Sequence, residues 1–308
     1  MSKITQALEK AARERLQRSA VAAAKPGDEP KPVSVPFVAA IELERAAPSG
    51  RLTIDPHIVA VAAPESPIAE QYRILRTGIQ SLRLRQGSNV LMVTSAVAGE
   101  GKSVTAANLA LSLASQGNAR VALVDGDLRR SSIPRWLGLP DRHLGLSTIL
   151  QDSGDAREAL YRLESPPLTV LPAGPETDQP AELLESAAFK RVLATLRTQF
   201  DLIILDAPPV LPVADPSIMA AHVDGILMVV RAGRTQRRTV QQALQALKKV
   251  KANILGCVLT HGEQYWAGYA RYYRQYYRQQ NNAQRAAKDA ETVDGAGQHA
   301  EPPDEPTH

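Results

Sequence analysis

Apolar residues recur along this chain in short runs that alternate with helical stripes. Runs at 90–94, 121–124, 168–171, 202–205, 226–230 and 254–259 read as strands. Patterns with the three-and-four spacing of amphipathic helices fall between most of them, at 102–115, 181–198 and 236–251. Ser66-Pro67 opens a further helix, a serine cap followed by proline at the first helical position. Ile68, Tyr72, Leu75, Ile79 and Leu82 then return at fours and threes. Strands alternating with helices predict an α/β fold: a mostly parallel sheet flanked by helices on both faces. Ligands in such sheets bind at the carboxyl ends of the strands.

The ends of the chain read differently. Residues 1–21 place Ile4, Ala7, Leu8, Ala11, Ala12 and Leu16 on one face of an amphipathic helix, either a plain surface helix or a docking one. Residues 22–60 are proline-rich and read as a linker, because they hold too little apolar surface to offset the entropy of ordering; within that region, 52–61 is expected to pack on the core. The main domain is 61–262, followed by a tyrosine-rich segment at 263–280 and a polar, disordered stretch at 281–308. No apolar run approaches the ~20 residues that span a bilayer, and the first residues lack a signal-peptide core. A cytoplasmic protein is expected. Cys257 is the single cysteine, which excludes an intrachain disulfide or a cysteine-built zinc site; it is expected in the core. The formal charge of +4 is mildly basic and favours acidic partners without naming one.

The first strand run leads into Ala96-Val97-Ala98-Gly99-Glu100-Gly101-Lys102-Ser103, and a helical pattern follows. This order is the setting of a phosphate-binding loop, whose backbone N–H groups converge on phosphate oxygens at a helix N-terminus. Ala98, Gly99, Glu100, Gly101, Lys102, Ser103 and Val104 are the expected nucleotide-binding residues, with Lys102 on the β- and γ-phosphates and Ser103 on Mg²⁺. The second strand ends in Val124-Asp125-Gly126-Asp127-Leu128-Arg129, where carboxylates two residues apart aim the same way. Asp125 and Asp127 are placed to handle the metal or to accept a proton. The strand at 202–205 ends in Asp206, the Walker B position, whose carboxylate serves Mg²⁺. Ser103, Asp125 and Asp206 are thus the metal set, with ATP and Mg²⁺ as cofactors. Arg129 is expected to pair with a carboxylate or phosphate, and Asp215 to cap a helix.

Tyr265, Tyr269, Tyr272, Tyr273, Tyr276 and Tyr277 are six of the eight tyrosines, interleaved with Arg271, Arg274 and Arg278. A buried core would need a partner for each phenol and guanidinium. A solvated helix, an aromatic and basic surface for nucleic acid or membrane, and a tail of phosphoryl acceptors remain as readings. In these motifs the chain resembles the bacterial tyrosine autokinases that accompany capsular and exopolysaccharide chain-length determinants. The resemblance covers roughly 60–280 and includes Leu171-Pro172-Ala173-Gly174-Pro175 and Pro180-Ala181-Glu182-Leu183-Leu184. It implies tyrosine kinase activity, with Lys102, Asp125 and Asp127 catalytic and the tail tyrosines phosphorylated in trans. It also implies a homo-oligomeric ring, a membrane-embedded activator holding the protein at the inner face of the membrane, a cognate tyrosine phosphatase, and no nucleic-acid partner.

The family's Glu-x-x-Arg-x-x-Arg motif falls on Glu70, Arg73 and Arg76, implying an oligomerisation role. Helical geometry sets these three opposite Ile68, Leu75, Ile79 and Leu82, so they are expected to be exposed. Val97 stands where positioning ATPases of the cell-division and partition type carry a second lysine. Ala98, Val104, Ser131 and Thr260 depart from the kinase pattern; Thr260 replaces an asparagine that often contacts the base. The competing functions are an ATPase switch without kinase activity and a membrane- or nucleic-acid-binding module that uses the tail.

Overall fold

The computed structural model describes residues 53–81, 89–140, 144–151 and 159–262. The expected N-terminal helix, the linker before Thr53, the tyrosine-rich segment and the stretch after it lie outside the described residues.

Seven strands form one sheet in the order β3-β4-β2-β5-β1-β6-β7. They are β1 (Val90–Ser95), β2 (Val121–Asp125), β3 (Tyr161–Glu164), β4 (Pro167–Leu171), β5 (Leu202–Asp206), β6 (Gly225–Arg231) and β7 (Ile254–Thr260). Every pairing is parallel except β3 with β4. All six residues of β1 and all five of β2 are buried, as strands covered on both faces must be. The antiparallel hairpin explains why β3 escapes the apolar pattern: it alternates buried and exposed residues at an edge.

The helices keep the expected order with two changes. Helices α1 (Val59–Ala62), α2 (Pro67–Ser81) and α3 (Lys102–Ala114) precede two short ones, α4 (Ile133–Leu137) and α5 (Leu146–Leu150). The pattern at 181–198 breaks into α6 (Pro180–Glu185) and α7 (Ala187–Gln199), because Ser186 leaves helical geometry to cap α7 through the amide of Phe189. The short α8 (Asp215–Met219) and the longer α9 (Arg237–Lys249) complete the set. The short helices α4, α5 and α8 are too brief to leave a periodic signature.

The core is already packed before Val61. Ile58 is fully buried. The amide side chain of Asn108, inside α3, accepts from Ala60 N and donates to His57 O, both at 2.9 Å. The stretch that enters α1 is therefore strapped to the helix behind the phosphate loop. Ser66 does cap α2, its hydroxyl accepting from Ala69 N at 3.1 Å.

Two expectations fail. Glu70, Arg73 and Arg76 are not an outward charged stripe. Arg73 pairs with Glu70 at 2.6 Å and donates to Pro64 O at 2.7 Å, while Arg76 donates to Ser112 O on α3 at 2.8 Å. All three are half-buried. The guanidiniums turn inward because they satisfy carbonyls that helix ends and turns leave without partners. Ile68 and Ile74 are exposed on α2 instead. Cys257 is exposed rather than in the core. It lies on edge strand β7 together with Leu259, which is 64 % exposed, on the face away from the core-packed Val258.

Candidate nucleotide and phosphoryl-transfer site

The carboxyl ends of β1, β2 and β5 lie side by side, so three distant parts of the chain meet there. Asp125 and Asp206 are register partners on β2 and β5. Gly126 donates to Asp206 O at 2.8 Å, and a Cβ at Gly126 would lie 2.9 Å from that same oxygen. Only glycine lets the β2 loop approach this closely. The phosphate loop crosses above, with Gly99 at φ 80° and Gly101 at φ 92°, left-handed conformations that turn the chain into α3. Lys102 and Ser103 open that helix.

Lys102 sits among the carboxylates. Its Nζ donates to Asp127 Oδ2 at 2.8 Å and to Ser103 Oγ at 3.1 Å, and lies 3.5 Å from Asp206 Oδ2. Asp125 is held from the other side: Oδ2 accepts from Ser131 Oγ at 2.8 Å and Ile133 N at 3.3 Å, and Oδ1 from Asp127 N at 3.1 Å. Both carboxylate oxygens of Asp206 are buried without a hydrogen-bond partner among the described residues. Lys102, at 3.5 Å, is a charge neighbour to Asp206 rather than a donor.

Such crowding moves protons. Burial, then the charge of Asp206, raises the Asp125 carboxyl to about 7. Burial likewise raises Asp206 against the pull of Lys102. Burial disfavours the Lys102 ammonium, but Asp206, Asp127 and Asp125 together outweigh it and hold the ammonium above its ordinary range. The unsatisfied Asp206 oxygens and the left-handed loop amides fit a cation with a phosphate chain. Among the described residues, no group of three or more His, Cys, Asp or Glu forms a metal cage. Magnesium needs none, since one or two carboxylates, a hydroxyl and phosphate oxygens serve it.

The predicted site residues 98–104, Asp125, Asp127 and Asp206 thus converge. Asp215 does not cap α8; it is that helix's first residue, fully buried, and takes a two-pronged ion pair from Arg129 at 2.7 and 3.0 Å. Pairing it inside the domain outweighs capping, because a buried carboxylate needs a cation. Sequence reading gave Glu100 no role beyond the loop. Its carboxylate is buried, accepts from Val97 N at 2.9 Å and Arg231 N at 3.3 Å, and takes the Thr235 hydroxyl. Thr260 donates to Glu100 O at 2.8 Å, and so supports the loop from below. No sequence signal marks Thr235, and Ser131 stands out only as a departure from the kinase pattern. The six candidate acceptor tyrosines lie outside the described residues.

Comparison with known proteins agrees with this geometry. Residues 86–292 match the ParA family, described as the NUBPL iron-transfer P-loop NTPase. Tyrosine-protein kinase YwqD of Bacillus subtilis is 36% identical over 203 residues, 66% of this chain and 85% of that protein. The chain belongs to the bacterial tyrosine kinases of the ParA-type P-loop class. Putative tyrosine-protein kinase EpsB of Ralstonia solanacearum is 32% identical over 73% of this chain, which spans only 31% of that longer relative. The kinase domain of Escherichia coli tyrosine kinase ETK superposes with a TM-score of 0.64 at 28% identity, covering 70% of this chain and 84% of that one. Among the described residues of this family member, no helix is long and apolar enough to cross a membrane.

Proposed function

We propose that this protein is an ATP-dependent tyrosine kinase that phosphorylates the tyrosine cluster 265–277 of another copy of itself. The observation that carries the reading is the position of Lys102, between Asp127 and Asp206 and beside a carboxyl at Asp125 held near neutrality. Loop amides and Lys102 would hold and neutralise the phosphates of ATP. Ser103, Asp125 and Asp206 would hold Mg²⁺, which supplies charge stabilisation to the transferring phosphoryl group. The phenol oxygen bonds to the γ-phosphorus as the bond from that phosphorus to the ADP oxygen breaks. The phenol proton would pass at neutral pH to Asp127 or Asp125, the carboxylates two residues apart at the end of β2. A free phenol, with pKa near ~10, is scarcely ionised at that pH, so such a base matters.

The wider reading has the kinase regulating exopolysaccharide or capsule polymerisation and export. It would work as a ring at the inner face of the cytoplasmic membrane, with a membrane-embedded chain-length determinant as activator and a cognate phosphatase resetting it. The inward-turned Arg73 and Arg76 would shape the surface of α2 in such a ring rather than reach across it.

Incubation of the full chain with Mg·ATP and an activator peptide, followed by mass spectrometry, tests the reaction. Phosphotyrosine within 265–277 is expected, and none in the Lys102→Met protein. The match to the ParA family favours one second reading, an ATPase switch. Steady phosphate release without phosphotyrosine would select it.

A further inference from the structure

Helix α9 and the turns at its ends carry charge of one sign. Seven lysines and arginines and no acidic residue stand between Arg231 and His261. They exceed the formal charge of +4 of the whole chain, so the rest of it is net acidic. Six of them, Arg234, Arg237, Arg238, Lys248, Lys249 and Lys251, are exposed and make no ion pair among the described residues.

Helical geometry gathers them. Ala243 and Leu247 are buried and fix the inner face of α9. At about 100° per residue, Arg238, Gln245 and Lys249 lie within about 40° of the opposite direction, and Arg237 and Lys248 run along one flank. Local stability does not account for this arrangement. Arg237 and Arg238 occupy the first turn of α9, which holds no acid. Cations there oppose the helix dipole, which favours them at the far end only. Lys251, just past that far end, has φ 58°, a left-handed position that glycine fills at least cost.

Topology sets the side on which this surface lies. Helix α3 joins β1 to β2 and α9 joins β6 to β7, in opposite directions across the sheet. Right-handed crossovers therefore put α9 on the face away from α3. Leu259, 64 % exposed, points to that same face, because its neighbour Val258 packs on the core that includes α3. Val250, between Lys249 and Lys251, is 41 % exposed. Cations with scattered aliphatic side chains fit anionic phospholipid: the cations meet the phosphates, and the aliphatic groups reach the headgroup boundary. Duplex phosphates offer Val250 and Leu259 no such boundary.

We propose that the outward face of α9, with Lys251 and the exposed end of β7, is a docking surface for an anionic lipid bilayer. The protein thus touches lipid directly, in addition to any membrane-embedded partner. This contact does not depend on phosphoryl transfer, so its failure leaves the kinase reading intact.

The test is flotation of the full chain with vesicles of phosphatidylcholine, alone or with about 30% phosphatidylglycerol. Binding is expected to the anionic vesicles only, and about 1 M salt should abolish it. Each basic residue near such a surface contributes about fivefold in affinity. Arg238→Gln with Lys248→Gln and Lys249→Gln should therefore weaken binding about a hundredfold, with ATP affinity unchanged as the check on folding. Lys190→Gln with Arg191→Gln, exposed on α7, should leave binding nearly unchanged. No binding by the wild-type chain, or equal losses from the α7 and α9 variants, overturns the surface. Binding to duplex DNA without binding to vesicles overturns the lipid assignment and selects nucleic acid for this face.

Discussion

Asp125 and Asp206 are buried register partners on adjacent parallel strands, so two carboxylates enter one enclosed space with a single lysine between them and Asp127. The Asp125 carboxyl rises from 3.8 to about 7 as a result. A carboxyl whose folded pKa is raised favours the folded state most at low pH. That contribution is complete below the unfolded value and is lost as pH rises through the folded one. The nucleotide-free protein should therefore lose stability between about pH 4 and 7. Asp125→Asn should flatten this slope and be about 1–3 kcal/mol more stable relative to wild type at pH 8 than at pH 5. Urea unfolding at the two pH values measures the difference; parallel slopes would refute it.

Lys102→Met removes the cation that pairs with Asp127 at 2.8 Å. Phosphoryl transfer should fall by at least about a thousandfold, as when a transition-state charge partner is lost. The variant should also melt lower at pH 8 than at pH 5, because its carboxylates repel without relief. Robust labelling by this variant would remove the site assignment. A scan of melting temperature against pH checks the second effect independently.

Arg129 answers the fully buried charge of Asp215 from a position 40 % exposed. Arg129→Ala strands that charge and should cost about 2 kcal/mol, below the full penalty for a dry pair because water reaches the arginine. Asp215→Asn added to the alanine variant should recover part of the loss. A double-mutant cycle by chemical denaturation gives the coupling, and additive losses would show the pair to be idle.

Glu100 ties the phosphate loop to the end of β6 through Arg231 N and to the turn after it through Thr235. Thr235→Val deletes one of those ties without touching the nucleotide pocket's own amides. ATP affinity should weaken about tenfold while the acceptor's KM stays put, since one hydrogen bond to a charged group contributes ~1.5 kcal/mol. Titration calorimetry with ATP reads the effect.

The central strands and the site were legible because both obey strong local rules. Fully buried parallel strands must be continuous apolar runs, and a phosphate loop needs glycines followed by lysine and a hydroxyl. Hence Lys102, Ser103, Asp125 and Asp206 were placed from sequence. What escaped depends on tertiary pairing. Nothing local distinguishes an Asp215 that caps a helix from one that meets Arg129, 86 residues earlier. The face of α2 was misjudged because periodicity counts arginine as polar, whereas Arg76 lays its stem on α3 and delivers its charge to the Ser112 carbonyl. Cys257 sits in an apolar run, but only the sheet order reveals that its strand is an outermost one.

The hydroxyl of Thr260 rests on a carbonyl 160 residues behind it. On the ribosome, the loop emerges long before its last prop exists, a delay of roughly 10–30 s at ordinary elongation rates. A nascent chain would therefore meet cellular ATP with an unfinished cradle. The cradle would be complete only once β7, the last strand among the described residues, had been made.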